Sequence, residues 1–356
     1  MSPLNQRRLE NFRKNKRAYY SLWIFGLLFA VSMVTELIAN DKPIIFSYKG
    51  EIYLPLIFTY SDKQLGGVLE TEAWYIDPFT EREIEEHGWA LWPAIRYSFD
   101  TLDWDRTIVP AAPDSEHWLG TDGFGTDIVA KLLYGFRLSV LFGIILTIFS
   151  STIGICVGAV QGYFGGLVDL IGQRIVEVWI GLPVLFVLII LASMVEPNVY
   201  WLLGILVMFS WMTLVGVVRA EFLRARNFEF VRAAWGLGVR DFIVIFRHVL
   251  PNAAVSALTY LPFILTSSIV SLTALDFLGF GLPIESPSLG RLLSAAKSNL
   301  QAWWIGAGVF TTLVVMLTLL IFIGEGVRDA LDPRRSIGTT RGEGPALQTP
   351  IEARSQ

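Results

Sequence analysis

The stretch EFVRAAWGLGVRDFIVIFRHVLPNA, Glu229 to Ala253, carries Glu229, Arg232, Arg240, Asp241, Arg247 and His248 between two runs apolar enough to dissolve in lipid. Phe230, Val231, Ala234 and Trp235 fall at helical spacing, and Gly236 and Gly238 interrupt it. Phe242, Ile245, Phe246 and Val249 then repeat at i, i+3, i+4 and i+7, the period of a second amphipathic helix. Pro251 is expected to end that helix before the next apolar run. Each apolar face is too short to cross a bilayer and too greasy to lie free in water. A helical hairpin of this kind needs a protein partner; the alternative is a pair of helices lying on the lipid surface.

Working outward, the chain reads as a membrane protein. Of 356 residues, 53% are hydrophobic and only 17% charged, against roughly 25% charged in soluble domains, and the mean hydropathy is +0.52. A formal net charge of −4 gives no electrostatic case for a nucleic-acid partner. The single cysteine, Cys156, can form no intrachain disulfide and reads as a small buried apolar residue.

A helix needs about 20 residues to cross the hydrocarbon layer. Six stretches qualify: residues 19–39, 138–160, 175–195, 199–218, 254–277 and 303–323, the fifth expected to bend at Pro262. Arg7, Arg8, Arg13, Lys14, Lys16 and Arg17 precede the first. Arg219, Arg224, Arg226, Arg232, Arg240 and Arg247 separate the fourth from the fifth. The excess of Lys and Arg places both regions in the cytoplasm. Glu81, Glu83, Glu85 and Glu86 instead mark the segment after the first span as external. The loop carrying Arg291 and Lys297 is a mild exception. The first apolar run is too long for a cleaved signal and no A-x-A site follows, so a retained anchor is expected. Tyr19, Tyr20, Trp23, Trp303 and Trp304 suit interfacial belts.

The expected organisation is therefore a basic amino-terminal segment (1–18), a first span (19–39), an external insert with an interfacial helix (40–137), a five-helix core (138–324) holding the hairpin 228–251, and a cytoplasmic tail (325–356). Within the insert, PIIFSYKGEIYLPLIF reads as a hairpin about Lys49-Gly50, and EREIEEHGWALW as a short helix ending near Gly88. The insert is expected to be a small α+β unit. His87 and His117 lie there without metal-ligand spacing, so no metal site is expected. Thr126 or Asp127 can cap a helix beginning at Ile128. Beyond Pro333 the sequence is polar and aperiodic and reads as disordered.

Gly154, Gly158, Gly162 and Gly166 recur every fourth residue in GICVGAVQGYFGG, a bare stripe that lets a second helix approach closely. Arg174 and Glu177 are placed to pair. In the fifth span Ser267, Ser268, Ser271, Thr273 and Asp276 form a polar series. A charge at mid-membrane costs roughly 2.5–3.5 kcal/mol, so Asp276 is expected near the outer surface or beside a wet cavity, with these five as candidates for a solute path.

The opening stretch resembles the EAA loop of ABC importer permeases, E-A-A-x3-G-x9-I-x-L-P. Ala233, Ala234, Gly238, Leu250 and Pro251 stand in register, while Arg232 replaces the Glu and His248 the Ile. RHVLPN after an Ala-Ala pair is typical of the peptide/nickel branch. HWLGTDGFGTDIVAKLLYGFRLSV is similar to the H-x-L-G-T-D-x-x-G-R-D segment of that branch, with Thr126 in place of the Arg. LDFLGFGLPIESPSLGRLL is similar to its loop between the last two spans. The long external insert narrows the resemblance to the Yej-type permeases of oligopeptide and microcin C import.

The resemblance implies an all-α polytopic permease of six transmembrane helices in the bacterial inner membrane, both termini cytoplasmic. It implies a second homologous permease, two ATP-binding subunits or one fused ATPase, a periplasmic peptide-binding protein and surrounding lipid. ATP and Mg would be bound by the partner ATPases and no cofactor by this chain, which would itself have no catalytic site. Coupling to the ATPase would run through Glu229, Phe230, Val231, Arg232, Ala233, Ala234, Trp235, Gly238, Arg240 and Asp241. Within the family nickel or glutathione is an alternative cargo, and a secondary transporter is the remaining alternative class. No H-E-x-x-H, G-x-S-x-G or G-x-x-x-x-G-K-[ST] is present, which removes the motif basis for an intramembrane hydrolase or a fused ATPase.

Overall fold

The computed structural model describes residues 3–196 and 198–331. The tail expected beyond Pro333 lies outside the described residues. Helix α1 (Pro3–Lys14) turns into α2 (Lys16–Met33), whose first turn is capped by Asn15 accepting from the Ala18 N–H at 3.3 Å. Both pack on the end of the last helix, where Gly326 leaves room for Ala18 and the Phe12 ring.

A small sheet follows. Strands β1 (Ile45–Tyr48) and β2 (Glu51–Tyr53) form a hairpin whose two-residue turn, Lys49-Gly50, has positive φ at both positions, as its twist requires. Helix α3 (Pro78–His87) starts at Asp77, which accepts from the Phe79 and Thr80 N–H groups. It leads into β3 (Gly88–Leu91), antiparallel to the other edge of β1, giving the order β2-β1-β3. Phe46, Tyr48, Leu65, Tyr75 and Ile84 are buried between sheet and helix.

The helical body begins with α4 (Ile128–Phe164), 37 residues without a break. The interfacial helix expected to lead into the second span is continuous with it. Gly135 packs on Leu289, and Arg137 pairs with Glu36 at 2.7 Å, so polar and small residues near the membrane edge find partners without ending the helix. The third expected span is instead two helices, α5 (Gly166–Ile180) and α6 (Val184–Ser193), bent by 73°. Pro183 at the break has no N–H to donate and disfavours helical backbone in Leu182. Helices α7 (Val199–Ser210) and α8 (Met212–Ala225) run on through Trp211, past the expected end at Val218.

After α9 (Glu229–Gly236) comes α10 (Asp241–Leu258). Pro251 does not end it. A π-helical turn over Val244–Val249 widens the helix just before the proline, relieving the clash its ring would make with the preceding turn. The chain breaks later, at Thr259-Tyr260, and α11 (Leu261–Phe277) starts with Pro262 in its first turn, where no donor is lost. Helix α12 (Leu289–Ser298), capped by Ser288, and α13 (Trp303–Leu331) complete the body.

Among the described residues, four helices are long and apolar enough to cross a membrane: α4, the α7–α8 rod, α10 and α13. The bent pair α5/α6 makes a fifth. The molecule is a helical polytopic membrane protein. Cys156, expected to be buried, is exposed on α4.

Candidate functional site

The charged hairpin of α9 and α10 has two unlike faces. Val231 and Ala234 point inward and join a core with Val244, Ile245 and Val249, packed on Phe222 of α8 and Tyr163 of α4. Glu229, Phe230, Arg232, Ala233, Trp235, Gly238, Arg240 and Asp241 are exposed. Of the ten expected coupling residues, Val231 and Ala234 are thus turned into the chain's own core. Gly238 has φ +70° with open space around it, a left-handed turn that a side chain would strain. Leu237 and Phe242, 82% and 69% exposed, leave an apolar tip on this turn.

Sequence reasoning missed the residue that holds the two helices at their angle. Tyr163, at the end of α4, receives the Trp235 indole N–H on its hydroxyl at 2.8 Å and donates to Asp241 Oδ1 at 2.5 Å. One phenol therefore ties α9, α10 and α4 together. Its only sequence signal is position, directly after Gly162. Below it Arg219 of α8 makes a two-point pair with Asp169 of α5, one contact Nη2–Oδ2 at 2.7 Å.

The glycine stripe brings α4 against α8. A Cβ at Gly154 would strike the Trp211 carbonyl, one at Gly158 would lie 2.8 Å from the Val215 carbonyl, and one at Gly162 2.5 Å from the Phe222 Cβ. Gly166 does not belong to the stripe: α4 ends at Phe164, Gly165 reverses the chain, and a Cβ on Gly166 would meet open space.

The five polar residues of α11 do not converge. Ser267 is exposed and Ser271 half-buried, while Ser268, Thr273 and Asp276 are buried on another side. The Thr273 hydroxyl donates to its own helix at Ile269. Asp276 is buried and ties down the following loop, accepting from the Leu282 N–H at 2.7 Å and the Ser288 hydroxyl at 2.5 Å. It borders a cavity of about 820 Å3 lined also by residues of the segment that precedes α4, Phe99, Asp100 and Phe124 among them.

At the entry to α4, His117 is fully buried between Asp127, 2.8 Å from Nδ1, and Asp103, 3.2 Å from Nε2. Asp127 also caps α4 by accepting from the Ala130 N–H at 2.8 Å. Arg106 holds Asp103, Asp114 and Glu116. Burial pushes the His117 imidazole down, but its hydrogen bonds and charge contacts with Asp127 and Asp103 outweigh this and raise it above the usual histidine range. Asp114, which accepts from the His117 N–H and from Arg106, is held at about 2. The H-x-L-G-T-D segment is therefore a buried ionic lock between the segment that precedes α4 and the long helix. On α3, Glu83, Glu86 and His87 bring their ligand atoms within 4.8 Å of one another, but Glu83 is already engaged by the Tyr48 hydroxyl and by His87 Nδ1.

Comparison with known proteins identifies the arrangement. Residues 151–337 match the family described as the binding-protein-dependent transport system inner membrane component. The chain is 54% identical to the inner membrane ABC transporter permease protein YejE of Escherichia coli (strain K12), over 95% of this chain and 99% of that one. It is 49% identical to the peptidoglycan transport system permease protein YejE of Agrobacterium fabrum, over 94% of each. To the oligopeptide transport system permease protein OppC of Mycobacterium bovis it is 34% identical, over 69% of this chain and 85% of that one. The chain therefore belongs to the binding-protein-dependent transport system inner membrane components, among the Yej-type ABC permeases.

Proposed function

We propose that this chain is one of two permease subunits of an ABC importer that carries peptides, with peptide-nucleotide antibiotics such as microcin C within its range. The observation that carries the reading is the two-faced hairpin. Its inner face is fused to α4 and α8, so a push on it reaches the spans. Its outer face, with Phe230, Arg232, Ala233 and Trp235 exposed, is an apolar and cationic surface for a partner. ATP and Mg would sit on two ATPase subunits or one fused ATPase docked there, and closure of that unit would rock this permease against its homologue. A periplasmic binding protein would load the opposite face.

In this reading the chain crosses the inner membrane six times, with both termini and the hairpin in the cytoplasm and the β-sheet segment outside. Helix α2 supplies the first crossing. The fifth combines the end of α10 with α11, while the start of α10 remains in the hairpin. The name of the Agrobacterium relative adds peptidoglycan pieces to the cargo worth testing. The test is paired: affinity purification of the tagged chain with its co-expressed partners, and uptake of labelled tripeptides and muropeptides by cells with and without it. Uptake that is unchanged without the chain, or a chain that captures no ATPase, sinks the proposal.

A further inference from the structure

Between the external segment and the loop that follows α11 lies a cavity of about 820 Å3, within the size range of sites for small organic ligands, roughly 300–1,000 Å3. The Thr126 hydroxyl lies at its wall, 3% exposed, and makes no hydrogen bond among the described residues. A buried hydroxyl left this way loses its hydration with no return unless a ligand supplies the partner.

The charge of the lining is unbalanced. Its bases are Lys131, already 2.5 Å from Asp122 Oδ2, and Arg291, whose guanidinium donates to the carbonyls of Pro283, at 2.6 Å, and Leu282. Against these two stand four carboxylates. Asp122 and Asp276 are buried and satisfied, the latter by Ser288 and the Leu282 N–H. Asp100 and Glu285 are exposed, and neither makes a hydrogen bond or ion pair among the described residues. The spare charge is negative, although Glu285 also feels the charge of Arg291. Beside it Phe124 and Ile284, 77% and 85% exposed, present uncovered apolar surface.

We infer that this cavity is a receiving site for the amino-terminal end of a short peptide. The ammonium sits between Asp100 and Glu285, the first side chain lies on Phe124 and Ile284, and a peptide carbonyl or amide reaches the Thr126 hydroxyl. This rests on the peptide-import reading and adds to it where on this chain the cargo first binds and by which end.

The test uses the detergent-purified full chain with its co-expressed partners and without the binding protein. Binding of a tripeptide carrying a dye at its carboxyl end is followed by fluorescence polarisation, and compared with the same tripeptide acetylated at its amino end. The free amine should bind about tenfold more tightly. D100N/E285Q, two exposed positions, should erase that preference. Thr126→Val, which removes a hydroxyl with no partner to lose, should keep the melting temperature and weaken both peptides severalfold. Equal affinity for the two peptides, no binding, or a preference that survives D100N/E285Q overturns the site. If uptake in cells still depends on the chain in that case, the site alone has failed; if uptake never depended on it, the importer reading has failed.

Discussion

Gly158 and His117 show what single residues settle. At Gly158 the α4–α8 seam is closed to the point where one methyl would sit 2.8 Å from a carbonyl oxygen and 2.9 Å from the Val218 Cβ. Lipid offers no hydrophobic drive between helices, so close backbone approach is what holds them. Gly158→Ala should therefore lower the melting temperature of the detergent-solubilised chain, with Gly158→Leu worse, overpacking costing about 1–3 kcal/mol or more. Gly216, on α8 with nothing near its missing Cβ, is the control: Gly216→Ala should be neutral or stabilising. A Gly158→Ala protein as stable as the control would remove the seam from the account. His117 makes a different prediction. Its charged form is stabilised by Asp103 and Asp127, with the Tyr97 ring tilted against the imidazole and Arg106 beyond Asp103. A raised folded pKa means this stability is fully present below the unfolded value of about 6.5 and is lost as pH rises through the folded one. Thermal melts should weaken above that point, and His117→Gln should melt lower at acid pH and lose this part of the pH dependence. A wild-type pH profile identical in shape to that of His117→Gln would mean the imidazole does not titrate there.

At the scale of elements, the hairpin divides its residues between holding and touching. Ala234→Glu would bury an unpaired charge against Val231 and Phe222, costing several kcal/mol, so it should unseat α9 as a whole. Arg232→Glu changes only the exposed face. It should leave the melting temperature unchanged and reduce the amount of co-purified ATPase. Tyr163→Phe separates the two roles again: it removes the hydrogen bonds to Trp235 and Asp241, about 1 kcal/mol each, while leaving the outer face intact. ATPase capture should survive and peptide-stimulated ATP hydrolysis should fall. Equal hydrolysis in Tyr163→Phe and wild type would show that the phenol does not transmit movement. Much of this element was legible from spacing, because period and glycines declare a hairpin by themselves. Which way Val231 and Ala234 point was not, since an apolar residue on a short helix reads the same whether its neighbour is its own chain or another. Tyr163 was invisible because its partners lie 72 and 78 positions away. Pro251 misled for a local reason: the rule that proline ends helices holds for α-geometry, and the π turn before it changes that geometry.

For the whole molecule, hydropathy places the helices in the membrane but does not divide them into crossings. Charge does more. The basic residues before α2 and around α9 should remain in the cytoplasm, while the acidic sheet segment has no such anchor. The break at Pro183 and the run of α10 past Pro251 blur the count, since one expected span is two helices and another shares a helix with the hairpin. Sidedness is therefore the sharper question, and it can be asked at two exposed positions. Val68, 88% exposed beyond β2, should face outward. Asn227, exposed between α8 and α9, should face inward, with an odd number of crossings between them in the six-span arrangement. In a Cys156→Ser background, which removes the one native thiol, Val68→Cys should react with a membrane-impermeant maleimide in intact cells and Asn227→Cys only after lysis. Neither side chain is buried, so folding should not confuse the result, and uptake measured in the same cells shows that each variant is assembled. Labelling of both before lysis would place the hairpin outside, where no ATPase can reach it. Labelling of Asn227→Cys alone would invert the chain and, with it, the assignment of the acidic cavity to the receiving side.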